Sequence, residues 1–433
     1  MNTHNSTERN YINQVLISIL FKFMAVGLTF MAVPILIEKF GVSGYGMWSI
    51  LLSVLMWMNL LDFGLPAYLQ TRVAKTNANG IQESVISSEV GQSYVLIAFL
   101  NLIMLGFILG SYIFVGTFDL NFRFFDGKHV SMTLVFVGVA LAGVNVISSV
   151  IHGVVGGMRR SSLVSISQFI AAAMFFSSIF LIQGLSIEMA LILNFSFLSV
   201  SNFLISLWQY RTTPIVRPKF KLNKKIIYSL WGRGGGFVLI NLSVLVLFST
   251  DRLVMGLLTN VESVAAYDLV FKIFGVFLMG HGLISMPLWG PYAYEFERGN
   301  FSWIIRMLWI QVLIFLVFFI LMFVVLLLME PLLRLWIGNV ISIETSLAWA
   351  VLAYVSIALW NNIFAMLING IGNIALQVKI SLVAALINIP ISYFLVESFG
   401  FGPEGVVWGT VIALLLPGVI MPIQALSFIR IRK

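Results

Sequence analysis

The side chains most able to do chemistry are a few charges set inside long apolar runs. Lys22 stands in the run 13–37, Arg233 opens the run 232–258, and Asp268 and Lys272 share the run 262–289. A lysine or aspartate at mid-bilayer costs about 2.5–3.5 kcal/mol even on the lenient insertion scale, so such a residue calls for a partner or a function. Lys22 lies about ten residues, or roughly 15 Å of helix, into its run. It has no acidic residue one turn away, which favours a place in a cavity wall. Asp268 and Lys272 are four apart, on one helical face with signs paired. That spacing fits a self-neutralising structural pair or a coupling pair. Asp251 and Arg252 adjoin the outer end of their run, where they need reach only the interface. Metal and thiol chemistry are not expected. The four histidines, His4, His129, His152 and His281, have no ligand spacing, and there is no cysteine. His281, nine residues beyond Lys272, faces nearly the opposite way and is read as a hydrogen-bonded packing residue.

The elements that must hold these charges are membrane spans. The chain has 433 residues, 60% hydrophobic and 10% charged, with a mean hydropathy of +1.02. That leaves too little polar surface to solvate a globular fold of this size. A span takes about 20 apolar residues. Such runs occur at 13–37, 44–65, 90–116, 130–155, 162–183, 187–209, 232–258, 262–289, 304–329, 346–368, 377–396 and 403–428. The polar start lacks a small-residue cleavage site, so the first run is read as a retained span. Eighteen basic residues, from Arg9 to Lys433, fall on the side of the amino terminus. Five fall on the other: Lys39, Arg123, Lys128, Arg252 and Arg334. By the positive-inside rule both termini are expected in the cytoplasm. The net charge of +8 is then mostly topology plus attraction to anionic lipid. Nucleic acid is not expected as a partner, because the basic residues are spread over loops without interleaved exposed aromatics.

The chain repeats itself at half its length. Gly153 and Gly156 in Ile151-His152-Gly153-Val154-Val155-Gly156 correspond to Gly370 and Gly372 in Ile368-Asn369-Gly370-Ile371-Gly372, and Pro66 corresponds to Pro287. An even number of spans per half gives two lobes of the same orientation, as in transporters that rock two lobes about a central site. The expected fold is therefore all-α and integral to the membrane, with twelve transmembrane helices in two six-helix lobes and a central cavity. The lobes are 1–210 and 230–433, joined by a basic cytoplasmic linker, 211–229. The segment Trp231-Gly232-Arg233-Gly234-Gly235-Gly236 lacks the lysine and Ser/Thr of a phosphate-binding loop. It fits close helix packing through small residues, or a flexible entry to the seventh span.

Four stretches carry a family resemblance: Gly44-Tyr45-Gly46-Met47-Trp48-Ser49, Leu61-Asp62-Phe63-Gly64-Leu65-Pro66, Pro287-Leu288-Trp289-Gly290-Pro291-Tyr292 and Gly370-Ile371-Gly372-Asn373. In order and spacing they resemble the polysaccharide biosynthesis flippases, the O-antigen-type members of the multidrug, oligosaccharidyl-lipid and polysaccharide exporter superfamily. The resemblance covers nearly the whole chain. It implies translocation of an undecaprenyl-diphosphate-linked oligosaccharide from the cytoplasmic to the periplasmic leaflet of a bacterial inner membrane, with no enzymatic step and no cofactor. Partners would be membrane lipids, H+ or Na+ as coupling ions, and polysaccharide polymerase and assembly proteins. Within these motifs, Tyr45, Trp48 and Trp57 also fit interfacial or packing aromatics. Asp62 is expected either to fix the end of the second span, with Arg72 as its partner, or to gate substrate entry.

Such transport needs a hydrated, cationic path for the diphosphate. Position assigns that role to Lys22, Arg233 and Lys272, with Arg159 and Arg160 at the cytoplasmic mouth, and makes Asp62 and Asp268 coupling or gating groups. Asn145, Asn194, Asn241 and Gln168 would hydrogen-bond between helices or contact glycan. Two other readings remain. A cation-coupled multidrug or small-solute antiporter would use Asp268 as its acidic site. An integral-membrane glycan polymerase or ligase would need a larger outer loop than the stretch of about fifteen residues bearing Asp119, Arg123 and Asp126.

Overall fold

The computed structural model describes residues 2–62, 64–66, 68–70, 72–73, 83–117, 132–158, 160, 162–220, 242–243, 245–247 and 249–431. The described residues form helices and short connections, with no strand among them. The long helices are apolar around their whole circumference, the pattern of elements solvated by lipid on one side and protein on the other. Phe301–Leu327 is the extreme case, with Trp309, Leu313, Ile320 and Leu327 all exposed.

Local chemistry sets where the helices end. Gly41, at φ 71 and ψ 173, interrupts the element Asn2–Met56 and divides it into helices 2–40 and 42–56. Asn260 and Asn300 cap the next turns by accepting hydrogen bonds from the Ser263 and Trp303 amides at 2.8 and 3.3 Å. Gly372, at φ 83, closes Thr345–Ile371 in the left-handed conformation.

Ten helices among the described residues are long and apolar enough to cross a membrane. One of them, Leu16–Met56, contains two of the twelve expected spans, joined at Gly41. The expected span 232–258 is described only in part, and its residues 249–258 are helical. The count thus agrees with an all-α, multi-pass membrane protein of about twelve spans.

The chain divides into two compact units: Met1–Gly41 with Val54–Val238, and Val42–Ser53 with Leu239–Lys433. The first unit is glued by a buried polar knot. Asn202 Oδ1 accepts from Ser167 at 2.7 Å and lies 2.9 Å from His152 Nε2, while its amide nitrogen reaches Asn145 at 3.3 Å. In the second unit Ala375–Glu397 and Pro403–Ile431 pack along one another, and Tyr292, Ile304, Leu367, Ile368 and Ala425 form the apolar core.

The half-length repeat has a packing cause. In the first unit a Cβ on Gly153 would stand 2.2 Å from the Pro66 carbonyl oxygen. In the second unit a Cβ on Gly370 would stand 2.9 Å from the Trp289 carbonyl oxygen. In each case the partner segment follows a 3-10 stretch, Trp57–Asp62 or Met286–Leu288. A helix therefore crosses a broken helix at the same place in both halves, and only glycine permits the approach. The second glycines differ in role, since Gly156 faces the Gln70 side chain whereas Gly372 ends its helix.

Candidate functional site

The 261–285 helix places Asp268 and Lys272 one turn apart, and they form the expected ion pair. The pair is not self-contained, however. Arg252, on helix 249–258, donates through Nε and Nη2 to Asp268 Oδ1 at 2.9 and 2.7 Å. Tyr45 donates its hydroxyl to Asp268 Oδ2 at 2.6 Å, and Ser49 Oγ accepts from Arg252 Nε at 3.0 Å. Arg252 therefore turns inward instead of stopping at the interface. It can do so because its guanidinium is shielded by rings, 5.6 Å from Tyr267 and 5.4 Å from Phe271, while the Lys272 ammonium lies 5.7 Å from the Tyr45 ring. One buried carboxylate thus serves two cations. With side-chain exposures of 3% for Asp268, 14% for Arg252 and 24% for Lys272, the spare positive charge is displayed on the more accessible members.

The residue beside Arg252 was not singled out by its sequence position as a buried group. Asp251 is 1% exposed. Thr410 donates to its Oδ1 at 2.7 Å and Tyr267 to its Oδ2 at 3.2 Å, while Asn388 Nδ2 donates to Thr410 Oγ1 at 2.7 Å. No ammonium or guanidinium of the described residues forms a salt bridge with it. Among the described residues its hydrogen-bond donors are hydroxyls, and burying a carboxylate without an ion-pair partner is costly. Sequence gave only one signal, an acid at a span end; the hydroxyl donors come from 16 and 159 residues away.

The other expected site residues have separate settings. Lys22 is half-buried on helix 2–40, which meets Ser162–Leu181 through the Ser18–Ser165 hydroxyl pair at 2.9 Å and the Phe21–Phe169 ring pair at 5.3 Å. Arg160 donates to Gln209 Oε1 at 3.2 Å, and its guanidinium lies 5.9 Å from the Trp208 ring. Arg159 and Arg233, the glycine-rich segment 231–236 and Asn241 lie outside the described residues. Asp62 accepts the Gly64 amide at 2.7 Å and so fixes the turn at Gly64, φ 68. The partner expected for it, Arg72, pairs instead with Glu89, donating through Nε and Nη2 at 3.0 and 2.8 Å. Glu89 is the better acceptor because it presents both oxygens to the guanidinium, while an Asp62 oxygen is committed to its own turn. His281 is buried, with Asn362 Nδ2 3.0 Å from its Nδ1.

Fold and sequence together define an all-α, multi-pass membrane protein. The chain is similar in fold to a multidrug resistance transporter of the MATE family, MOP superfamily, solved in its inward-facing conformation, with a TM-score of 0.75 and 14% identity over 96% of this chain and 98% of that one. The outward-facing conformation of such a transporter gives a TM-score of 0.70 at 14% identity, covering 97% and 96%. The family model of polysaccharide biosynthesis proteins matches residues 12–297, and the chain belongs to that family. A Salmonella typhi protein provisionally named an O-antigen transporter is 22% identical over 92% of this chain and 91% of its own length. A Yersinia pseudotuberculosis protein provisionally named an O-antigen export protein is 22% identical over 62% of each chain.

Proposed function

We propose that the protein moves a polyprenyl-diphosphate-linked oligosaccharide from the cytoplasmic to the periplasmic leaflet of a bacterial inner membrane by alternating access, with both termini in the cytoplasm. The observation that carries this reading is the two-cation, one-carboxylate cluster of Arg252, Lys272 and Asp268, set in a chain of the polysaccharide biosynthesis family. A diphosphate cannot cross hydrocarbon unaided, and a site holding one spare positive charge offers it a counter-ion. Lys22, Arg159, Arg160 and Arg233 would extend the cationic path. Removing the gene is expected to trap lipid-linked oligosaccharide on the cytoplasmic leaflet and abolish surface glycan. A deletion strain that keeps full surface glycan, with no second flippase present, rules the reading out.

Ion coupling belongs on Asp251 in preference to Asp268. Asp268 already has two cations, whereas among the described residues Asp251 has only hydroxyl donors, and H+ or Na+ would neutralise it while it stays buried. Occupied, it leaves the neighbouring cluster with a net charge of +1; empty and ionised, it cancels that charge and weakens the hold on an anion. Asp251→Asn is therefore expected to support glycan export that no longer responds to the ion gradient. Gradient-driven export of unchanged rate in that variant would exclude Asp251. A cation-coupled drug antiporter would use the same carboxylate, and drug-resistance assays of the deletion strain separate the two.

A further inference from the structure

We propose that a groove in the first unit is a loading site for the carrier lipid, taking the polyprenyl chain along its apolar walls and the diphosphate on the basic segment at its end. The inference rests on the function proposed above and adds the place where the substrate is first held. The groove, of about 680 Å3, runs between the helices Glu83–Thr117, Met132–Ser148 and Ile187–Thr212 and ends on the segment 217–220. That volume lies within the range of about 300–1,000 Å3 usual for ligand pockets.

Its lining is apolar, and the charges are carried by residues adjoining its end in the chain. Ala98, Val144, Val200 and Phe203 form apolar walls, with Val144, Val200 and Phe203 exposed, so the groove opens sideways. The phenolic oxygens of Tyr94 and Tyr210 lie 3.0 Å apart and satisfy each other, leaving their rings to the groove. Pro218 and Phe220 close the end. Around them Arg211, Arg217 and Lys219 are all exposed, and none forms an ion pair with a carboxylate among the described residues.

This end is a built feature. The Lys219 amide donates to the Ser87 carbonyl at 2.8 Å, and Gly91 admits the Lys219 carbonyl so closely that a Cβ there would stand 2.2 Å from its oxygen. The segment is thus pinned to the helix that forms one wall. Charge and shape choose the occupant. A bulk phospholipid brings two acyl chains and a phosphodiester of a single negative charge. One groove beside three exposed cations fits one chain with a multiply charged head, which is a polyprenyl diphosphate.

The test uses the purified full-length protein in nanodiscs with undecaprenyl diphosphate as probe, and phosphatidylglycerol and farnesyl diphosphate as competitors. Undecaprenyl diphosphate should be retained at least about tenfold more tightly than either. Replacing Arg211, Arg217 and Lys219 together with glutamine should lower its retention about tenfold, and so should filling the groove with Val144→Trp. The triple variant alters only exposed side chains, so its result stands even if the tryptophan variant proves unstable. Equal retention of phosphatidylglycerol would make this an ordinary lipid-facing groove and overturn the proposal. Equal retention of farnesyl diphosphate would remove the role of the long chain, and wild-type binding by the triple variant would remove that of the cations; either overturns it as well. Failure of the functional reading looks different: surface glycan would persist in the deletion strain whatever the groove binds.

Discussion

At Asp268 a single carboxylate answers two cations, and this changes what substitution should do. Removing Asp268 leaves Arg252 and Lys272 together without a counter-charge, whereas removing either cation leaves the other in place. Breaking a buried pair from one side typically costs about 3–5 kcal/mol. Asp268→Ala is therefore expected to lower membrane protein level, while Lys272→Ala, which leaves Asp268 paired with Arg252, should not, as read by immunoblot of membrane fractions. The double variant Asp268→Leu with Lys272→Leu should not recover, because Arg252 is then orphaned; adding Arg252→Met should restore the level. Recovery in the double variant would show that Arg252 does not depend on Asp268. A separate readout addresses function: Lys272→Ala should reduce surface glycan at unchanged protein level, and Lys272→Arg should preserve part of it.

At the scale of elements, the crossings at Gly153 and Gly370 carry the internal symmetry, and their different closeness predicts different sensitivity. An added methyl would collide with backbone at 2.2 Å at Gly153 and at 2.9 Å at Gly370. Overpacking of this kind costs about 1–3 kcal/mol. Thermal unfolding of the purified variants should place Gly153→Ala below Gly370→Ala and both below wild type. Equal or raised stability at position 153 would mean that the crossing is looser than described. The helix ends follow simpler rules, visible in Asn260 and Asn300 as caps and in Gly41 and Gly372 as positive-φ breaks.

At the scale of the whole molecule, the eighteen-to-five division of basic residues predicts a topology that reporter fusions can read. A reporter fused after Lys219 should remain cytoplasmic, and reporters fused after Asp126 or Glu344 should be exported. Export at Lys219 would overturn the twelve-span arrangement and, with it, the cytoplasmic placing of the basic end of the groove.

Sequence by itself determined the class of the chain, the spans, the half-length repeat and the Asp268–Lys272 pairing. Each of these is a local or periodic property: apolar length against bilayer thickness, glycines at matching offsets, opposite charges one helical turn apart. Tertiary structure alone decided which charges meet. Tyr45 reaches Asp268 across 223 residues and Thr410 reaches Asp251 across 159, separations that no helical spacing can encode. The same holds for Arg72, which reading along the chain assigned to nearby Asp62. Packing gave it to Glu89 on the next helix, because a fork of two donors is best satisfied by a carboxylate with both oxygens free to accept.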